Sequence, residues 1–411
     1  MDGRTRPDGI ELRSARADDV DQILALVGDR LGEDGVAPAA VTLAGADGPP
    51  RYMVAADGDR VVAVTALWQD RVRVGPTVLP AGQIDFVASL SGYGGRGLVR
   101  DLMTMALARS DARGDVVQIM IGIPYFYRQF GFSYVIPLPT PYELRADAHL
   151  AVPDGLEVRE AGPDDLPGVR RLQDAVQAAY DVAMPHSGDT WRSLASAETV
   201  AFRVVDDGSA MSGFARHKIG AGRAAGDGPH DITVAEVAAI GVGPVRALLA
   251  DARTQARGGR IMVKDRPGAA VSVVLPAVGL RHQETDRYMV RVADPVALLD
   301  ALRPTLSARL KASHFAHESG DLLVSYYRGG VVLTYASGAV TAVRSAPQQQ
   351  GLVAAGGIGV PPDVLPDLVF GPHGAAGLEQ LHADCNLGPQ RTLAEALFPP
   401  VTADVLTFYV P

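Results

Sequence analysis

The chain has 411 residues, 47% of them hydrophobic and 21% charged, with a formal net charge of −9 at pH 7 and an isoelectric point near 5.5. That apolar content suits about two to four globular domains, and the negative balance argues against nucleic acid or an anionic membrane and for cationic small molecules as partners. A single cysteine, Cys385, excludes an internal disulfide and a cysteine-based zinc site, and no metal ligand set is expected. There is no apolar run of a membrane span's length of ~18 residues and no signal-peptide apolar region, so a cytoplasmic location is expected.

In chain order, residues 11–31 predict a short strand and then a helix marked at its start by Asp18 and Asp19, with Val20, Ile23, Leu24 and Val27 on one face. Residues 51–74 alternate as a hairpin does, turning at Asp57-Gly58. Residues 84–134 predict a βαβ unit. A β-prone stretch from Ile84 to Leu90 meets a turn carrying Gly92, Gly94, Gly95 and Gly97, and apolar residues then recur at helical spacing through Leu98, Leu102 and Met105. Such a turn lets successive N–H groups converge at the positive end of a helix dipole, which suits a pyrophosphate; a tight connection without a ligand is the alternative. A second apolar strand from Val116 to Ile123 runs into PYFYRQFGF at 124–132.

The pattern then repeats. Glu157-Val158-Arg159 followed by Asp164-Asp165-Leu166 matches Glu11-Leu12-Arg13 followed by Asp18-Asp19-Val20. Residues 201–216 echo 51–66, and 232–252 stand where the glycine-turn unit belongs, but with two glycines, a proline in the first helical turn and no tyrosine motif after it. This copy is expected to hold no cofactor. From 294 onward an amphipathic helix precedes a hairpin turning at Arg328-Gly329-Gly330, and after a Gly/Pro-rich stretch two short helices are expected, over 366–388 and 391–400.

The βαβ unit with Tyr127 four residues before Gly131 resembles the GNAT superfamily of acyl-CoA transferases, and the three-part order over the whole chain resembles the Eis (enhanced intracellular survival) acetyltransferases. The resemblance implies an α/β (α+β) fold of two tandem GNAT modules with mixed sheets, residues 1–150 and 151–293, followed by a sterol-carrier-like domain over 294–411. It also implies acetyl-CoA as co-substrate and transfer to a primary amine of a cationic, aminoglycoside-like or lysine-like molecule, by a homo-oligomer, possibly a hexamer. Carried onto this sequence, Tyr127 is the general acid and the α-carboxylate of Pro411 the base. Phe86, Val87, Ser89, Gly94, Gly95, Arg96, Gly97 and Leu98 hold the CoA, and Asp85, Tyr125, His186 and Trp191 face the acceptor. For Tyr127 a buried structural tyrosine is the alternative, and for His186 and Trp191 a plain surface loop. Gly94 and Ser91 stand where the family usually has a cationic or amide side chain and a proline. That departure keeps open a second reading, a non-acetylating tailoring enzyme or small-molecule binding protein with a degenerate CoA site.

Overall fold

The computed structural model describes residues 3–45, 48–186, 188, 190–191, 194, 200–219, 228–283, 286–348 and 356–405. Seven strands open the chain: β1 (Arg4–Thr5), β2 (Glu11–Ser14), β3 (Tyr52–Asp57), β4 (Arg60–Val74), β5 (Thr77–Ser89), β6 (Val117–Met120) and β7 (Ser133–Pro137). Helices α1 (Val20–Leu31) and α2 (Glu33–Ala44) lie between β2 and β3, and α3 (Leu98–Arg113) joins β5 to β6. The expected strand, helix, hairpin and glycine-turn unit are all present; α2 was not expected. The β3–β4 hairpin turns at Gly58, whose φ of 59° suits a residue without Cβ.

Sheet membership departs from chain order. In the first sheet β1 to β5 run antiparallel and β6 joins β5 in parallel, but the next strand is Arg287–Val292, inserted antiparallel between β6 and β7. In return, Pro141–Leu144 enters the second sheet between Ile261–Lys264 and Gly279–Arg281, antiparallel to both. Each module thus completes the other's sheet. The second sheet otherwise repeats the first, with Ile232–Ala239 and Ile261–Lys264 parallel and joined by the helix Val242–Ala256.

The Glu-x-Arg and Asp-Asp pairs that reveal the repeat are a structural device. Arg13 donates to both carboxylate oxygens of Asp19 at 2.6 and 3.0 Å, and Arg159 does the same to Asp165 at 2.7 and 2.8 Å. Each aspartate also accepts a backbone N–H three residues back, Arg16 or Gly162, which caps the turn entering the first helix of its module. The short polar motif thereby ties strand to helix twice.

The third unit is a four-stranded sheet in the order Ala339–Ala346, Gly330–Ala336, Ser319–Ser325, Gly357–Gly359. Its first helix is divided, Pro295–Ala301 and then Arg303–Lys311, with Pro304 in the first turn of the second. Its C-terminal helices number three among the described residues, Leu365–Phe370, Gly374–Leu381 and Arg391–Leu397, because the chain breaks at Gly371. This unit shares one core with the first sheet. Val72, Val74, Leu79, Val117 and Tyr288 pack in the same cluster as Leu298, Leu306, Leu322, Phe370 and Phe398. Thr305 fixes the contact, donating to the Val74 carbonyl at 2.6 Å beside Gly75 at the β4–β5 turn. Cys385 is free and buried here. No described helix is long and apolar enough to cross a membrane.

Candidate active site

The site begins where two strands part. β5 and β6 pair only at Ala81–Val117, Gly82–Gln118 and Gln83–Ile119. Gly82 lets the end of α3 sit close on the sheet, since a Cβ there would lie 2.4 Å from Ser110 Oγ. Beyond Gln83 the strands diverge, because β5 bulges: Ala66 faces Asp85 and Val64 faces Ala88, so Phe86 and Val87 share the single opposing residue Thr65. Phe86 takes φ 48°, a left-handed conformation costly for an aromatic residue and held by its stacking on Tyr52 at 5.9 Å and its packing on Trp68. On the other side the chain leaves β6 at Met120, three residues sooner than sequence suggests, and Ile121 and Ile123 become exposed at the mouth of the wedge.

At the end of β5 the chain makes a 3₁₀ turn, Ser91–Tyr93, and enters α3 through Gly97 at φ 79°. An added Cβ at Gly92, Gly95 or Gly97 would meet nothing within 4 Å, so the turn is an open cradle at a helix N-terminus of the kind that holds phosphate on backbone N–H groups. The side chain of Leu98, the first residue of α3, is by contrast buried in the core. Three guanidinium groups surround the turn. Arg96 lies over the Tyr93 ring at 5.0 Å and pairs with Asp8 at 3.0 Å; Arg6 donates to the Arg96 carbonyl at 2.8 Å and pairs with Asp101. Arg30, from the last turn of α1, donates to Ser91 Oγ at 2.9 Å. Sequence reasoning missed Arg30, and no local signal marks it, for it reaches the turn from 61 residues away.

Tyr127 sits in the 3₁₀ helix Phe126–Phe130 and is 5% exposed. Its ring packs closely on Gly122, where a Cβ would come within 2.3 Å of one ring edge, and Phe126 packs edge-on at 5.0 Å. Gly122 is a second residue that sequence reasoning passed over. The Tyr127 hydroxyl takes no hydrogen bond among the described residues. Burial, and then the charge of Asp85, push its pKa up to about 12, so it is a phenol holding its proton at neutral pH. Asp85 lies in the bulge. Burial raises its carboxyl to about 6, and it accepts the Phe86 N–H at 2.8 Å, so that amide is already engaged.

A parallel strand pair opened by a bulge, with a glycine turn at one lip and a protonated tyrosine beyond the other, has clear counterparts. Residues 11–135 match a family model described as an acetyltransferase (GNAT) domain. The fold is that of the GNAT acetyltransferases. Over 97% of this chain it resembles a GCN5-related N-acetyltransferase of Kribbella flavida (TM-score 0.68, 19% identity, all of that chain) and another of Anabaena variabilis (0.70, 15%, all of that chain). Eis1 of Mycobacterium abscessus is similar over 96% of this chain and 99% of its own (0.59, 16%). In sequence, an uncharacterized N-acetyltransferase of Streptomyces avermitilis is 31% identical over 190 residues, 41% of this chain and 44% of its own length. The chain therefore spans less than half of that curated relative.

Around the GNAT wedge the other candidate residues scatter. Tyr125 is 76% exposed, its N–H donating to the Tyr134 hydroxyl at 2.9 Å, and it presents its ring to Arg128 rather than to Asp85. Trp191 is buried among Phe202 and Phe214 in the core of the second module, and the His186 ring stands edge-on to it at 5.0 Å. His186 is half-buried, burial lowers its pKa to about 4, and its Nε2 is unpartnered among the described residues. Beside it runs a buried charge array that sequence reasoning did not single out. Arg216 and Glu236 pair at 3.1 Å, both wholly buried, while Arg266 grips both oxygens of Asp404 at 3.0 and 2.6 Å. Asp404 belongs to the short strand Ala403–Asp404, which pairs through Val182–Ala183 with the end of β4 and so brings the C-terminal segment between the modules. Pro411 lies outside the described residues, and among those residues no cluster of metal-ligating side chains occurs.

Proposed function

We propose that the chain is an acetyl-CoA-dependent N-acetyltransferase acting on a primary amine of a cationic small molecule by direct transfer. One observation carries the reading: the β5–β6 wedge joins an open glycine cradle to a buried, protonated Tyr127. The residues fit CoA. The Gly94 N–H is turned to the Ser91 carbonyl at 3.4 Å, so backbone N–H groups of Gly95 and Gly97, helped by Arg30 and Arg96, would hold its phosphates, and the unpaired edge of β5 from Asp85 to Ser89 would line its pantetheine arm. Acetyl-CoA supplies the acyl thioester. Tyr127 gives its proton to the departing thiolate, and with Phe86 engaged, Val87 N–H is the donor left to polarise the carbonyl. An amine attacks only when deprotonated, so a base must take its proton. Asp85, with a carboxyl near 6, is placed for it, and the segment anchored by Asp404 is the route by which the Pro411 carboxylate would compete. Asp85 and the overall negative charge suit a cationic acceptor.

Among the described residues the second module enters its helix through Gly241 and Gly243 with Pro244 behind them, in place of the four-glycine turn of the first, which supports a single acyl-donor site in residues 1–150, with 151–293 as a degenerate GNAT module and 294–411 as a sterol-carrier-like unit. Assembly into a cytoplasmic homo-oligomer belongs to the same reading. The engaged Phe86 amide, together with Gly94 and Ser91, favours the second reading, a GNAT-fold protein that no longer acetylates. Titration calorimetry with acetyl-CoA on the wild type and Gly94→Val tests both. Gly94 has ordinary extended backbone and its Cβ would meet only Ser91 O at 3.6 Å, so the variant should fold while its side chain fills the cradle. Wild type should bind and the variant should bind at least tenfold more weakly; equal binding removes the assigned cradle, and no binding by wild type selects the second reading.

A further inference from the structure

A second cavity, about 870 Å³, opens where the outer edge of the first sheet meets the third unit. Its walls come from the turn after Tyr127, from Arg287–Val292 and the start of β7, and from the hairpin turn and C-terminal helices of the third unit. In sheet order the acyl-donor wedge lies between β5 and β6, whereas this cleft stands on Arg287–Val292 and β7, the two strands beyond. It is a different place with a different charge.

Four arginines line it, Arg128, Arg287, Arg291 and Arg328, against two aspartates, Asp363 and Asp367, an excess of two positive charges in a protein of net charge −9. His373 and His382 are also in the wall. Arg291 is held by Asp111 at 3.2 Å and Gln118 at 2.6 Å. Arg128 lies over the Tyr125 and Tyr134 rings at 5.8 and 5.6 Å, and Arg287 reaches only the Val135 carbonyl at 3.5 Å. Among the described residues Arg128, Arg287 and Arg328 have no carboxylate at ion-pairing distance; Asp367 feels the charge of Arg287 but is bonded to His373 at 3.3 Å. Guanidinium groups gathered in a concave site without carboxylate partners repel one another and concentrate anions, and their fork geometry matches phosphate and carboxylate alike. The volume fits a whole small molecule rather than a lone ion, and Val292 and Leu381 offer apolar surface beside the charges.

We propose that this cleft binds a small polyanion, an organic molecule bearing two or more phosphate or carboxylate groups, at a site separate from that of the acyl donor. Citrate and tripolyphosphate serve as carboxylate and phosphate probes in titration calorimetry on the full chain at constant ionic strength. One probe or both should bind saturably at one site per chain. Arg328→Glu, on an exposed turn, should weaken that binding at least tenfold while acetyl-CoA binding stays unchanged. Arg246→Glu, the same charge reversal on an exposed helix face of the second module, should leave it within twofold. Leu381→Glu, which puts an anion in the cleft without removing an arginine, should reproduce the loss. Saturable binding by neither probe overturns the proposal, as does equal binding by wild type and both cleft variants. So does a polyanion that acetyl-CoA displaces and Gly94→Val abolishes, for it would be sitting in the glycine cradle.

Discussion

Replacing Tyr127 by Phe separates chemistry from architecture at the centre of the site. The ring, which carries the packing on Gly122 and Phe126, is kept, and only the hydroxyl is lost. Because that hydroxyl makes no hydrogen bond among the described residues, its removal should cost less than about 0.5 kcal/mol, below the ~1 kcal/mol of an ordinary lost hydrogen bond. As proton donor to the thiolate, the same hydroxyl should matter by about a hundredfold in turnover, about 2.7 kcal/mol of barrier. Its pKa near 12 keeps it protonated throughout the working range, so the loss should be even between pH 6 and pH 9. The assay is release of free thiol from acetyl-CoA with a panel of cationic amines, run beside acetyl-CoA binding and a thermal melt. A fall in kcat with binding and melting temperature unchanged is the expected outcome. A variant that turns over at the wild-type rate refutes the assignment of Tyr127 as acid, and one that melts several degrees lower shows that the hydroxyl is structural.

Asp85→Asn should stabilise the protein at pH 7 by about 1–2 kcal/mol. The folded carboxyl titrates near 6 against an ordinary 3.8, so the folded state holds the proton more tightly, and stability falls as pH rises through that window and then levels. The gain should therefore vanish in urea melts near pH 3.5, and an activity limb near pH 6 should disappear with the carboxylate. Gly122→Ala forces a methyl against the Tyr127 ring and should cost about 1–3 kcal/mol; in a Tyr127→Ala background most of that cost should vanish, as a double-mutant cycle would measure. Asp19→Asn leaves the buried Arg13 with Glu11 at 3.2 Å as its remaining carboxylate and should cost about 1–3 kcal/mol, whereas Asp165→Asn, beside a more exposed Arg159 that keeps Asp206, should cost less than about 1 kcal/mol. Urea unfolding of the two variants checks the order. Deleting residues 294–411 bares the core they share with the first sheet, so the truncated chain should be insoluble or bind a hydrophobic dye, as fractionation and fluorescence would register.

Local signals were enough for the elements of the candidate site that are contiguous in the chain. The glycines of 92–97, the helical spacing after Leu98 and the aromatic turn around Tyr127 are short-range patterns, because a helix start or tight turn is decided by the few residues that form it. The repeated Glu-x-Arg and Asp-Asp motifs were legible for the same reason, each lying within about ten residues, whereas their pairing as Arg13–Asp19 and Arg159–Asp165 was shown by the fold. What the tertiary structure alone decided are the relations between distant segments. Strand 287–292 lies between β6 and β7 because a sheet edge accepts any strand of matching pattern, whatever its position in the chain. Arg30 meets Ser91, Gly122 meets the Tyr127 ring, and Arg266 meets Asp404 across 138 residues for no reason a local pattern carries. Trp191 reads as a loop tip in sequence and is a core residue in the fold, since burial is set by what packs on a side chain and not by its neighbours in the chain.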